Sequence, residues 1–102
     1  MTKLSADINK LDQAKKDLTK ARTELTDLKS KFERYRIFVN EEWEGAAAEA
    51  LKAKLDRYIY DLQRFINTID ELNTYTGTTS DYMRRLDEES KKITQCFEIA
   101  NG

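Results

Sequence analysis

The sequence predicts an all-α protein: an antiparallel two-helix hairpin with a C-terminal helical extension, completing a helical bundle with a partner chain. Three observations lead there. The 102 residues include no proline and three glycines, so little interrupts a helix over long stretches. Hydrophobic residues make up 39% and charged residues 36%. That balance is too polar for a multilayer core and too rich in Leu, Ile and aromatic residues for a disordered chain. Apolar residues also recur in steps of three and four on both sides of a central Trp-Glu-Gly, the spacing that gives a helix one apolar seam.

The first helix is expected over about 3–40. Leu4, Leu11, Leu18, Leu25, Phe32 and Val39 lie seven apart. Asp7, Ala14, Ala21, Leu28 and Tyr35 are their companions, with Ile8 standing in for Asp7 one place on. This is a heptad pattern with lysines and arginines on its flanks. The turn is expected at 41–45, where Gly45 can take the backbone angles of a reversal. Glu41, Glu42, Glu44 and Glu49 cluster beside it, favoured by the positive end of the second helix's dipole. Trp43 is expected to plug the hairpin end near Val39 and the alanines at 46–48.

The second helix is expected over about 46–75, with Leu51, Leu55, Tyr58, Leu62, Phe65, Ile69 and Leu72 as its seam. At 76–80, Thr76 and Thr79 replace apolar seam residues, and Gly77 lowers helix propensity by about 1 kcal/mol relative to Ala. This weak joint reads either as flexible or as a soft spot in one long helix. Beyond it, a C-terminal helical extension at about 81–98 keeps the heptad phase through Leu86, Ile93 and Phe97.

Folding the chain about Trp43 sets Phe32 opposite Leu55, Leu25 opposite Leu62, Leu18 opposite Ile69 and Leu4 opposite Met83. Charge agrees: residues 1–36 carry ten Lys and Arg against six Asp and Glu, and residues 37–102 carry eight against thirteen. The stripe past Met83 is then left without an intramolecular partner of matching length, and reads as a frayed tail, a segment folding back, or a surface for another chain. Ile59 and Ile66, one place off the main seam, broaden the apolar band. Ile59, Ile66, Leu86, Ile93 and Phe97 are therefore the candidate partner-binding residues, and the partner they suit is another helical protein or a second copy.

Composition also excludes functions. With no histidine, the chain lacks the usual general base, the commonest metal ligand and the usual activator of a nucleophilic Ser or Cys. The acidic residues are dispersed as on solvated helix faces. No catalytic, cofactor-binding or metal-binding residue is assigned, and no enzyme is expected. Cys96, the single cysteine, forms no intrachain disulfide. The basic residues of the first helix are interleaved with Asp7, Asp12, Asp17, Glu24 and Asp27, which disfavours nucleic acid. The N-terminus lacks the apolar stretch of a secretory signal, and no run approaches the roughly 20 apolar residues of a membrane span.

Trp43, Glu44 and Gly45, set in a turn between two heptad helices of a chain near one hundred residues long, resemble the WXG family of early-secreted-antigen-like proteins. These are small helical hairpins of bacterial type VII secretion. The resemblance implies a non-catalytic protein that pairs as an antiparallel four-helix dimer with itself or a sister protein. It also implies that Trp43 and Gly45 belong to an export signal completed by a downstream Tyr-Xaa-Xaa-Xaa-Asp/Glu. Here the second half is degenerate: four places after Tyr82 stands Leu86, and the acid comes at Asp87. That departure suits another role in such systems. WXG-like helical proteins bind the helical N-terminal domain of LXG-type toxins and target them for export. The expectation is such a partner, held in the bacterial cytoplasm and leaving with its toxin by a signal-peptide-independent route. An exported homo- or heterodimer acting outside the cell, and a coiled-coil adaptor unrelated to secretion, are the alternatives.

Overall fold

Without proline, backbone hydrogen bonding runs on until the turn at Gly45. The computed structural model describes residues 3–101, with side chains described over 3–98. Helix α1 spans Lys3–Glu42 and helix α2 spans Ala46–Asn101. They pack antiparallel as a hairpin 85 Å long and 16 Å by 15 Å across. At 1.5 Å per residue, the 56 residues of α2 account for the whole length, while the 40 of α1 cover about 60 Å.

The reversal is built from backbone. The Trp43 N–H donates to the Val39 carbonyl at 3.0 Å, and the Glu49 N–H donates to the Gly45 carbonyl at 3.1 Å. Gly45 therefore caps α2, and its φ of 99° is one that L side chains rarely adopt. Two expectations change here. Trp43 is 51% exposed and does not plug the hairpin, because Val39 and Ala48, both buried, already close it with Leu55, Phe32 and Leu51. A small alanine leaves the helices too close for an indole. Glu41 and Glu42 lie in the last turn of α1, against the negative end of its dipole, and only Glu49 falls in the first turn of α2.

The main heptad line of α1 lies inward as expected, with Leu11, Leu18, Leu25 and Phe32 half-buried and Ile8 and Val39 buried, whereas its companions Leu28 and Tyr35 are exposed. The seam of α2 is rotated by one position. Leu55, Leu62 and Ile69 point inward, but their companions are Ile59, Ile66 and Asn73. Ile66 is 3% exposed, whereas Phe65 is 62% exposed. The expected seam residues Tyr58, Phe65 and Leu72 are all exposed. Both sets alternate 4-3, so spacing alone did not separate them. Branched isoleucines fit the narrow contact between two helices, and the rings take the rim.

The register is also displaced, by about one turn. Arg36 meets Asp56, Arg22 meets Asp70 and Asp12 meets Ser80, each partner lying further along α2 than folding about Trp43 places it. Helical side chains lean towards their own N-terminus. In an antiparallel pair, α1 side chains lean away from the turn and α2 side chains lean towards it, so each contact shifts outward along α2. In consequence α1 covers more of α2 than expected. Ser5, Ile8 and Asn9 share a cleft with Arg84, Asp87, Glu88 and Lys91.

Residues 76–80 are helical, and α2 passes through them unbroken. The Thr74 and Thr76 hydroxyls bond back to the carbonyls of Asp70 and Leu72, so neither competes with the helix from outside. Gly77 has a packing role: the Lys15 side chain lies across it, with Nζ 3.3 Å from where a Cβ would stand.

Candidate partner-binding surface

The two flanks of the hairpin differ in chemistry. On one, α1 carries Lys15, Arg22, Lys29 and Arg36 seven apart, and α2 carries Asp56, Asp70, Gly77 and Arg84 on a matching heptad. Arg36 Nε is 2.9 Å from Asp56 Oδ1. Arg22 holds Asp70 through Nε at 2.6 Å and Nη2 at 3.3 Å. The hydrogen bond to Asp70 and the charge of its carboxylate raise the Arg22 pKa. Nearer the open end, the buried Ser80 hydroxyl donates to Asp12 Oδ1 at 3.0 Å and accepts from Arg84 Nη1 at 3.0 Å, while Arg84 also bonds Asp12. This flank is occupied.

On the other flank the companions of the α1 seam, Leu28 and Tyr35, face Tyr58, Phe65 and Leu72 of α2, and all five are exposed. Phe32 links the two helices, its ring 6.4 Å from that of Tyr35 and 6.1 Å from that of Tyr58. Between them opens a shallow hollow lined by Phe32, Tyr58, Asp61, Leu62 and Phe65. The outward heptad of α2 runs on from Tyr58, Phe65 and Leu72 through Thr79 to Leu86 and Ile93, one stripe about 53 Å long.

The predicted partner-binding residues are thereby divided. Ile66 is buried and Ile59 half-buried within the hairpin, so they line the chain's own interface. The outward band is instead made by Tyr58, Phe65 and Leu72. Leu86 is exposed but stands level with the first turns of α1, inside the doubled part of the hairpin. Ile93 and Phe97 are exposed on the stretch of α2 beyond it.

Sequence reading missed Asp12, Ser80 and Arg84. A signal was present: Ser80 continues the inward 4-3 series from Ile59 through Ile66, Ile69, Asn73 and Thr76, which leads to a contact with α1.

The sequence profile of the WXG100 family, described as proteins of 100 residues with WXG, matches residues 3–88. The chain belongs to the WXG100 family. No curated protein and no solved structure gives a match. Membership makes this a helical protein associated with type VII secretion, in a family whose members typically pair as helical dimers and are exported without a signal peptide. No helix among the described residues is long and apolar enough to cross a membrane.

In this WXG100 hairpin the tripeptide Trp43-Glu44-Gly45 is the exposed apex. Tyr82, also exposed, stands about 54 Å away along α2. Asp87 lies five residues beyond Tyr82, about 140° round the helix, and pairs with Lys91 at 3.0 Å. Tyr82 and Asp87 thus share no face, and neither meets the Trp-Glu-Gly apex within one chain.

Proposed function

We propose that this protein is a non-catalytic targeting partner that binds the helical N-terminal domain of a secreted effector of the LXG toxin type. The observation that carries the reading is the outward heptad Tyr58–Phe65–Leu72–Leu86–Ile93, an apolar stripe that α1 does not cover. Exposed apolar side chains repeated along one face on both sides of Thr79 mark an interaction site on a protein otherwise rich in charge. Its shape, a groove between two helices with a ridge beyond, suits amphipathic helices laid along it. Phe65, Leu72, Leu86, Ile93 and Phe97 anchor the partner. The ion-paired flank leaves only one side open, which favours a closed two-protein assembly over an extending array.

Trp43 and Gly45 supply the turn half of an export signal in this reading. A partner hairpin packed antiparallel brings its own far end beside Trp43, and the complex carries the second half that Tyr82 and Asp87 supply only in degenerate form. Before export the protein resides in the bacterial cytoplasm. The test is co-purification of the effector with a Phe65→Ser/Leu72→Ser variant. Recovery is expected to fall at least tenfold with helicity unchanged, and unaltered recovery contradicts the assignment.

A second reading, an exported dimer of this chain, has support in Leu28 and Tyr35. These place apolar surface on α1 as well, so two copies can present matching flanks. Light scattering of the purified protein distinguishes the two: a stable dimer of the chain alone favours the second reading, and a monomer that dimerises only with the effector domain favours the first.

A further inference from the structure

The turn end of the hairpin carries a second surface, separate from the flank. Ile37 and Phe38 are 57% and 54% exposed on the outer side of α1, where an amphipathic helix carries polar residues. One turn further on stand Glu41 and Glu42, adjacent to them by the three- and four-residue spacing of a helix, and then Glu44. Residues 37–51 hold four glutamates and no lysine or arginine. Glu49 pairs with Lys52 at 2.5 Å, and among the described residues Glu41, Glu42 and Glu44 form no ion pair.

Two of these carboxylates are placed against their own helix. The last turn of α1 holds no basic residue, so Glu41 and Glu42 face unpaired carbonyls at the negative end of the dipole, where a cation is the favourable neighbour. The exposed Phe38 ring and Ile37, beside carboxylates that the free protein holds unfavourably, are arranged for a partner that brings positive charge. We infer that this end docks a protein partner bearing an apolar hollow rimmed by lysine or arginine, which takes in Ile37 and Phe38 and pairs with Glu41 and Glu42. The inference does not rest on the flank: Ile37 and Phe38 lie off the stripe of Tyr58, Phe65 and Leu72.

The charge placement gives the site an unusual signature, since removing the acids stabilises the free protein and weakens the complex. The experiment places the photoreactive residue p-benzoylphenylalanine at position 38 in bacteria carrying the secretion system, with and without Glu41→Gln/Glu42→Gln, and maps the cross-linked peptide. The expected result is an adduct with a Lys/Arg-rich segment of another protein. Its yield falls at least fivefold in the Gln variant and in Ile37→Gln, and is unchanged in Phe65→Ser/Leu72→Ser, while the purified Gln variant melts at higher temperature. An adduct with a second copy of this chain, an adduct whose yield ignores the Gln substitutions, or no adduct overturns the inference. Failure of the flank reading shows instead as unaltered effector recovery in the Phe65/Leu72 variant.

Discussion

Ile66 and Phe65, neighbours in sequence, point to opposite environments: Ile66 is 3% exposed inside the hairpin and Phe65 is 62% exposed on its open flank. Their separation sets the buried seam and the proposed recognition surface on one turn of α2. Ile66→Val removes one buried methylene and is expected to lower stability by about 0.5–1.5 kcal/mol, while leaving effector capture intact. Phe65→Ser is expected to change stability by no more than about 0.5 kcal/mol and to weaken capture. Urea unfolding followed by circular dichroism, with co-purification alongside, measures both. An inverted result returns the seam to Phe65.

Gly45 is constrained by its backbone and has free space around it. A Cβ there would meet nothing within 4 Å, yet φ is 99°. Gly45→Ala is therefore expected to cost about 1–3 kcal/mol through strain alone. The loss is read in the denaturation midpoint, and a neutral substitution would mean that the turn relaxes to a different geometry.

Gly77 and Ser80 lie one turn apart on α2 and should respond oppositely. At Gly77 an added Cβ would meet only the mobile end of Lys15, at 3.3 Å, which can swing away. Gly77→Ala is expected to gain up to about 1 kcal/mol of helix propensity and to slow amide exchange through 76–80. Ser80→Ala leaves Asp12 and Arg84 to pair without their shared hydroxyl, a loss of about 1 kcal/mol. Stabilisation by both substitutions would show that the polar contact contributes nothing to the closed end.

How much of this was legible in the sequence follows from what each signal encodes. The 4-3 spacing specified two helices and the inner face of α1, and a lone glycine beside Trp43 specified the reversal. Spacing could not choose between Tyr58–Phe65–Leu72 and Ile59–Ile66–Asn73 on α2, because both series have the same period. The choice depends on how closely two helices approach, which the buried Ala48 helps set in three dimensions. Register was misjudged for a related reason: sequence positions mark Cα levels, while contacts follow side chains that lean along the helix. The polar node at Ser80 was hidden because a serine between threonines and a glycine reads as helix weakness until α1 is laid against it. Of the surface itself, Ile93 and Phe97 were legible as apolar residues past the end of α1. The flank between Tyr35 and Phe65 was not, since it exists only once the seam's rotation is known.

The Arg22–Asp70 pair is short, but both side chains are about half exposed. A double-mutant cycle with alanine is expected to give only the weak coupling of a solvent-exposed pair, shrinking as salt rises past roughly physiological strength. The charge-swapped pair Arg22→Asp/Asp70→Arg is expected to recover most of the loss. A coupling that survives 1 M salt would mean that this flank is shielded from solvent, contrary to the arrangement described.

The central claim is that the apolar flank is covered in the working assembly while the ion-paired flank stays in water. Hydroxyl-radical footprinting of the protein, free and with the helical effector domain proposed as its partner, tests this most directly. Labelling of Tyr58, Phe65 and Leu72 is expected to drop severalfold on binding, with Arg22 and Arg36 unchanged. Equal labelling of Phe65 in both states, with protection appearing on the arginine flank, would contradict the account.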